Sequence, residues 1–165
     1  MKCTIVFFSL SGKTGQAAQI LSERLSAVLC ELKTQKPYPK NHFFRLLKGG
    51  MEVARKRAPA LVSYPWGPQQ ELYILGTPVW NSGIAPALRT FLLEHSLKGK
   101  QVAAFATSLS GVADKCFAMM EGLLEEPLIA TVSLRSDKEG FSAEELDKLA
   151  LFSEKLSTER KVSDI

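Results

Sequence analysis

The sequence is poor in the two residue types that form disulfides and structural metal sites. It contains three cysteines, Cys3, Cys30 and Cys116, and two histidines. The cysteines are odd in number and widely spaced, which indicates three reduced thiols in a reducing compartment. Cysteine and histidine do not cluster, so the sequence argues against a structural zinc site. A chain of 165 residues can bury a sufficient apolar core without cross-links, and we expect one domain covering residues 1–165.

Long apolar runs are also missing from the sequence. No stretch reaches the roughly 18 apolar residues that a membrane-spanning helix needs. The N-terminal apolar run, residues 3–8, follows Lys2 as it would in a secretory signal, but it is too short and ends at the polar Ser9. The expectation is therefore a buried strand, no membrane span and a cytoplasmic location.

Acidic residues are scarce between Lys33 and Arg57. This stretch holds eight basic residues and one acid, Glu52, and so carries a charge of +7, whereas the whole chain carries +4. Residues 137–160 hold seven acids and four bases. A basic stretch attracts anionic cofactors, acidic partners or nucleic acid, although a solvated helix face is the simpler interpretation. No nucleic-acid-binding motif accompanies it, so we expect no nucleic-acid partner.

Apolar segments of strand length alternate with segments of helical periodicity along the chain. Strands are predicted at residues 3–8, 72–75, 102–106 and 128–134, with a further short strand around Leu32 and Thr34. Helices are predicted at residues 14–30, 42–57, 84–95 and 113–124, and from Ser142 onward. This alternation predicts an α/β fold, a three-layer α/β/α sandwich with a doubly wound parallel sheet.

The loop after the first predicted strand, residues 9–14, has the composition of a phosphate site. Doubly wound sheets bind ligands at the carboxyl ends of their strands. This loop also opens a helix, whose N-terminal N–H groups and partial positive charge suit a phosphate. Gly12 allows the backbone to turn close to the anion, and Ser9, Ser11 and Thr14 supply hydroxyls. The alternative is a polar turn without a ligand.

Two other phosphate-binding loops are excluded by single positions. A Walker loop needs a glycine five residues before its Gly-Lys-Thr, and Phe7 occupies that position ahead of Gly12. The dinucleotide fingerprint needs three glycines at fixed spacing, and here Gly12 and Gly15 are the two available.

At this loop the chain resembles the flavodoxin family. The residues that match the family's N-terminal signature are Ile5, Val6, Phe7, Ser9, Gly12, Thr14, Ala18 and Leu21. The resemblance covers roughly residues 2–135 and implies a flavodoxin-like fold with flavin mononucleotide (FMN) as cofactor. It implies that the FMN phosphate is wrapped by Ser9, Leu10, Ser11, Gly12, Lys13 and Thr14. Lys13 stands where many members have asparagine, and we expect its backbone to serve equally and its side chain to attract the anion.

A tryptophan, Trp80, follows the strand predicted at residues 72–75. An aromatic ring at the carboxyl end of a strand can stack on a flat cofactor, although packing under a loop is the alternative. The motif Gly-x-Pro-x-Trp, followed by a helix with Pro86 and Arg89-Thr90-Phe91, is similar to a flavodoxin-like branch that also carries a basic helix before this strand. The resemblance implies that the flavin ring is lined by Pro78, Val79, Trp80, Asn81, Ser82 and Gly83. Backbone within residues 81–83 is then the expected hydrogen-bond partner of flavin N5.

The loop after the strand predicted at residues 102–106 is, by the same resemblance, the third FMN loop. It comprises Thr107, Ser108, Leu109, Ser110 and Gly111. Electron-carrier flavodoxins often place a second aromatic residue in this loop, and Leu109 cannot stack as such a residue would. We therefore expect FMN to be held less tightly than in an electron carrier.

The sequence offers no convincing set of acid–base residues, and His42 and His95 are interpreted as structural. None is required, because flavin chemistry belongs to the cofactor. The first hypothesis is an FMN-dependent redox protein, either an electron carrier or an oxidoreductase linked to NAD(P)H or a quinone. The family carriers are strongly acidic and this chain is basic, which counts against the same partners. NAD(P)H, a quinone or a redox-partner protein is the expected partner. The alternative is a flavodoxin-fold interaction or regulatory module that binds FMN weakly or not at all.

Overall fold

The computed structural model describes residues 2–39, 42–67 and 70–163, with the backbone alone for 42–47 and 159–163. The strands are β1 (Cys3–Phe8), β2 (Val28–Leu32), β3 (Leu72–Pro78), β4 (Gln101–Ser108) and β5 (Ala130–Arg135). The helices are α1 (Lys13–Leu25), α2 (His42–Ala54), α3 (Pro86–Glu94), α4 (Asp114–Leu124) and α5 (Ala143–Ser163).

The strands of the described chain form one five-stranded sheet in the order β2-β1-β3-β4-β5. All neighbouring strands run parallel. From β1 the chain builds outward to β2, then returns and builds the other way through β3. The strand order therefore reverses between β1 and β3, and their carboxyl ends form the crevice where such sheets bind ligands. The predicted flavodoxin-like α/β fold is confirmed.

Helices cover both faces of the sheet, and the side chains of β1 alternate between the two resulting cores. Val6 and Phe8 belong to the core under α3 and α4. Ile5 and Phe7 point to the opposite core, under α1 and α5. Every residue of β1 is buried, as expected for a strand covered on both faces, which explains its continuous apolar sequence.

The boundary between α1 and β2 differs from the sequence prediction, which continued the first helix through Cys30. The helix ends at Leu25, because Ser26 adopts a left-handed conformation with a φ of 51°. The hydroxyl of Ser22 donates to the carbonyl of Ala27 at 2.7 Å and fixes this turn. The chain then pairs with β1 as β2.

The second strand accordingly lies earlier than predicted. Cys30 and Leu32 point into the core and Glu31 between them points outward, so this part of the strand alternates in burial. Leu32 is in the strand as expected, whereas Thr34 forms an isolated bridge with Leu61 outside it. The other predicted elements are present, with ends displaced by a few residues.

The three cysteines are buried and free of disulfides. Burial raises the pKa of the Cys30 thiol to about 11 and that of the Cys116 thiol to about 12, because an apolar environment disfavours the thiolate. Both thiols are therefore protonated at neutral pH. Within the described ranges, no helix is long and apolar enough to cross a membrane.

Candidate functional site

Three loops meet at the carboxyl edge of the sheet: loop 1 (residues 9–14), loop 2 (78–83) and loop 3 (107–111). They lie at the carboxyl ends of the neighbouring strands β1, β3 and β4, and loops 2 and 3 include the last residues of their strands. The hydroxyls of Thr14 and Thr107 are hydrogen-bonded at 2.8 Å, which joins loop 1 to loop 3. The N–H of Val79 donates to the carbonyl of Thr107 at 2.9 Å, which joins loop 2 to loop 3. The structure thus brings together the three segments that the sequence singled out.

Loop 1 ends in a helix N-terminus with unused donors. Gly12 is the N-cap of α1 and has a φ of 91°, a conformation that L-residues rarely adopt, with open space where a Cβ would stand. The N–H of Gly15 donates to the hydroxyl oxygen of Ser9 at 3.0 Å. The N–H groups of Lys13 and Thr14 have no acceptor among the described residues. Such donors, together with the helix dipole, form an anion site.

The side chains of loop 1 divide into accessible and committed groups. Ser9 is half-buried and, although its oxygen accepts from Gly15, its own O–H is free to donate; Ser11 is exposed. Thr14 is 2% exposed and its hydroxyl is hydrogen-bonded to that of Thr107, with either hydroxyl able to be the donor, so its role as a phosphate donor stays a prediction. The ammonium of Lys13 lies 3.4 Å from the carbonyl of Lys138 and so points towards the segment before α5.

Loop 2 contains a tight turn. Trp80 and Gly83 exchange backbone hydrogen bonds of 3.0 and 2.8 Å, and Asn81 and Ser82 between them have φ values of 45° and 61°. Positive φ at both central residues is the pattern of a type I′ turn. Asn81 and Ser82 are exposed, whereas the N–H of Gly83 is already used within the turn. Backbone within residues 81–83 was the predicted hydrogen-bond partner of flavin N5, and the N–H groups of Asn81 and Ser82 are the ones still available for it.

Trp80 belongs to an aromatic cluster. Its ring lies edge-on to Phe8, with centroids 5.6 Å apart, and to Tyr38, with centroids 5.2 Å apart. A Cβ at Gly49 of α2 would come within 2.8 Å of the Trp80 ring, so glycine is needed for this approach. Trp80 is half-buried by these contacts and keeps part of its surface at the carboxyl edge. Packing against the protein and contact with a ligand are both compatible with this placement.

Tyr38 and Gly49 were not predicted as site residues. The Tyr38 hydroxyl donates to the Glu52 carboxylate at 2.6 Å, and the Lys48 ammonium lies 5.2 Å from the centroid of the Tyr38 ring. The helix α2 runs through the paired glycines at positions 49 and 50. The sequence signal for a contact was present in this glycine pair, but it did not indicate the partner.

Replacing Tyr38 by phenylalanine is expected to destabilise the protein less at high pH than at neutral pH. Burial, then the hydrogen bond to Glu52 and its charge, raise the pKa of Tyr38 well above its ordinary value of 10.0. Above about pH 10 the unfolded chain loses this proton while the folded protein keeps it, so this part of the stability falls as pH rises. Removing the hydroxyl should cost about 1.5–3 kcal/mol at pH 7, shrinking above pH 10.

Urea unfolding of the wild type and the variant at pH 7 and at about pH 11 measures this difference. A cost that is equal at both pH values would contradict the assignment of a protonated, Glu52-bound Tyr38. Tyr64, whose pKa burial raises to about 12, is present in both proteins and contributes equally to each curve.

Loop 3 is closed by its own serines. Ser108 accepts a hydrogen bond from the N–H of Gly111 at 2.9 Å, and Ser110 accepts one from the N–H of Val112 at 3.2 Å. Leu109 at the tip is 79% exposed. The loop therefore presents an apolar side chain to solvent and contributes no aromatic residue. The aromatic residues beside Trp80 are Phe8 and Tyr38.

His95 is structural in its packing. Its ring lies 4.6 Å from Trp66 and 4.9 Å from Phe91, and a ring nitrogen is 2.7 Å from the hydroxyl of Tyr64. Burial lowers the pKa of His95, because a buried site disfavours the charged ring. The side chain of His42 lies outside the described residues.

A cavity of about 370 Å³ lies beside loop 3, at the start of α5. Its wall mixes the basic Arg135 and Lys148 with the acidic Asp137, Glu144 and Glu145. Lys148 already pairs with Glu144 at 3.2 Å and with Glu145 at 2.8 Å. The cavity is thus not selective for charge of one sign, and no residue of loop 1 is among those that line it.

A family model described as flavodoxin matches residues 2–127, and the chain therefore belongs to the flavodoxin family. No curated protein sequence matches the chain. A protein provisionally called a flavoprotein from Bacteroides eggerthii has 23% identity and a TM-score of 0.75, with 92% of this chain and 98% of that chain covered.

Two further solved structures share the fold. A flavoprotein in complex with FMN from Lactobacillus acidophilus has 18% identity and a TM-score of 0.69, with 90% of this chain and 98% of that chain covered. Oxidised Flavodoxin 2 from Bacillus cereus has 19% identity and a TM-score of 0.60, with 96% and 99% covered. At these identities, the likeness establishes the fold alone.

Proposed function

We propose that this protein binds FMN with loops 1, 2 and 3 and uses it as the redox centre of an electron-transfer reaction. Family membership supports FMN as the cofactor, and a neighbour of the same fold contains FMN. The observation that carries the proposal is the N-terminus of α1. Its unused N–H groups, at Lys13 and Thr14, lie where the strand order reverses.

The residues of the three loops fit the parts of FMN. The phosphate would be held by the N–H groups of Lys13 and Thr14 and by the hydroxyls of Ser9 and Ser11. Each charge-assisted hydrogen bond is worth about 1.5–3 kcal/mol, so a few of them anchor a phosphate without an ion pair. The ring would contact the aromatic side chain of Trp80 and the apolar side chain of Leu109 at the same edge. It would also meet the free N–H groups of Asn81 and Ser82.

FMN supplies the redox chemistry when it is bound, and the chain determines access and orientation. With the phosphate held by loop 1, the ring would be held at loops 2 and 3. The N–H groups of Asn81 and Ser82 would be available to donate to a ring nitrogen, and the exposed Leu109 would offer apolar surface to the ring. An electron carrier and an oxidoreductase acting on NAD(P)H or a quinone both remain within this proposal, because both need an accessible ring edge.

A flavodoxin-fold regulatory module is the second candidate. The specific observation in its favour is Leu109, which is exposed and aliphatic where a second stacking aromatic residue would strengthen flavin binding. In that case the protein would bind FMN weakly or not at all, and its three loops would serve another contact.

Titration of the apoprotein with FMN and with riboflavin separates these candidates. Riboflavin has the same ring but no phosphate, so FMN is expected to bind at least about 100-fold more tightly if two or more charge-assisted hydrogen bonds reach the phosphate. Trp80→Ala should weaken both ligands about 2- to 10-fold, because stacking contributes about 0.5–1.5 kcal/mol. Flavin fluorescence quenching measures both affinities.

The outcomes are distinct. Absence of FMN binding would overturn the redox proposal and favour the regulatory module. Equal affinity for FMN and riboflavin would show that loop 1 is not the phosphate site. If Trp80→Ala changed neither affinity, the ring would lie elsewhere.

A further inference from the structure

The basic helix α2 lies against the candidate FMN site. Gly49 of this helix approaches the ring of Trp80, and a Cβ on Gly83 would come within 2.7 Å of the Val53 side chain. The hydrogen bond from Tyr38 to Glu52 adds a third attachment. These contacts fix α2 to loop 2, so the charges of this helix are close to the carboxyl edge of the sheet.

Several cations of this region carry no acidic partner. Among the described residues, ion pairs are absent from Lys36, Lys48, Arg55, Lys56 and Arg57. The acid of the same stretch, Glu52, is occupied by the Tyr38 hydroxyl. The positive charge of α2 and its flanks is therefore not neutralised locally, and it extends into solvent.

Exposed apolar residues accompany these cations on α2 and in the segment after it. The chain after α2 returns to the end of β2, where the N–H of Val62 donates to the Lys33 carbonyl at 2.8 Å and the N–H of Gln35 donates to the Ala60 carbonyl at 2.9 Å. Met51 is 42% exposed and Val62 is 46% exposed. We define the basic surface by its exposed side chains, Lys36, Met51, Arg55, Lys56, Arg57 and Val62.

We propose that the basic surface docks an acidic redox protein, so that the partner's redox centre meets the carboxyl edge beside Trp80. This inference rests on the proposed FMN-dependent electron transfer. Exposed, unpaired cations complement an extended acidic surface and accelerate encounter. Methionine and arginine are also enriched at protein interfaces, and Met51 lies one helical turn from Arg55.

The distribution of acids supports a single docking side. Residues 137–160 hold seven acids and four bases, and five of these acids lie within α5. The helices α5 and α1 pack together on one face of the sheet. The helix α2 contacts α3, which covers the opposite face. The helix α5 as a whole holds five acids and four bases, so this layer lacks the excess of positive charge found beside α2, and an acidic partner is attracted to the α2 side.

The test uses a charge-reversed variant and a matched control. The variant combines Arg55→Glu, Lys56→Glu and Arg57→Glu, which together reverse the charge of the segment directly after α2. Lys2→Glu, Lys98→Glu and Lys100→Glu together make the same change in net charge before β1 and β4, at the opposite edge of the sheet. A glutamine series at positions 55–57 removes the charges without placing acids at a helix C-terminus, and it covers the case in which the glutamate series fails to fold.

The probe is an acidic [2Fe–2S] ferredoxin, and its binding to the protein with and without FMN is measured at about 20 mM and about 200 mM salt. The glutamate series should weaken binding at least about 10-fold at low salt and the glutamine series by less, whereas the control should change it less than about 2-fold. The rate of one-electron transfer from the reduced ferredoxin to the FMN-loaded protein should fall most in the glutamate series, less in the glutamine series and least in the control. Reduction by a small neutral donor should not change.

Three results would overturn the docking proposal. The first is that the wild type does not bind ferredoxin at low salt. The second is that the glutamate substitutions at positions 55–57 and those of the control weaken ferredoxin binding equally. The third is that the wild type binds duplex DNA more tightly than ferredoxin and loses this binding with the substitutions at positions 55–57. Failure of FMN binding would count against the proposed function instead, because docking is also measured without FMN.

Discussion

Replacing Ser11 by glutamate is expected to lower the affinity for FMN at least about 100-fold without disturbing the fold. Ser11 is exposed in loop 1, two residues before the unused N–H group of Lys13. A carboxylate there competes for the helix N-terminus and repels the phosphate. Loss of two charge-assisted hydrogen bonds at about 1.5–3 kcal/mol each corresponds to at least this loss of affinity.

Riboflavin provides the internal control, because it carries no phosphate and its affinity should be unchanged in the variant. Ser96→Glu is the matched substitution, an exposed serine before β4 at the opposite edge of the sheet, and it should affect neither ligand. Equal losses for FMN and riboflavin would place the effect in the ring site. Thr14 is unsuitable for this experiment, since an acid at a residue that is 2% exposed would disturb the core.

Gly76→Ala is expected to destabilise the protein by about 3 kcal/mol. The added Cβ would overlap the ring of Phe105 and come within 2.9 Å of the Phe7 Cβ. Both phenylalanines are buried in neighbouring strands, and β3 is held between those strands by backbone hydrogen bonds. A densely packed core accommodates such an addition only with strain of about 1–3 kcal/mol or more.

Urea unfolding measures this loss, and Gly122→Ala serves as its control. Gly122 is exposed in α4 with no heavy atom within 4 Å of an added Cβ, so alanine should stabilise the helix by up to about 1 kcal/mol. A loss below about 1 kcal/mol for Gly76→Ala would mean that the Phe105 ring shifts easily. The sequence interpretation ended the strand before Gly76, whereas the structure places Gly76 within β3, where the neighbouring ring requires glycine.

The fold was predictable because its central strands have little freedom in sequence. Residues 3–8 and 102–106 are continuous apolar runs that both cores bury, and helical segments separate them. The end of α1 was not predictable in the same way. Residues 25–32 fit the helical period as well as a strand, and the turn at Ser26, an ordinary residue in a left-handed conformation, decides between them.

The positions of the three loops followed from the same reasoning, since the carboxyl ends of neighbouring parallel strands meet at one edge. Which loop residues bind FMN stays a prediction. The surroundings of Trp80 could not be derived, because Tyr38 and Gly49 are distant from it in sequence and their contacts depend on the path of α2. The location of the basic segment beside loop 2 follows from those same contacts.

The buried cysteines give the molecule an internal reporter of its own opening. Cys30 and Cys116 are fully enclosed on the face of the sheet covered by α3 and α4, and Cys3 lies on the face covered by α1 and α5. A thiol reagent reacts with the thiolate and needs access, and the folded protein provides neither for Cys30 and Cys116. Alkylation of Cys30 and Cys116 therefore requires the protein to open, and its rate reports how often the core under α3 and α4 opens.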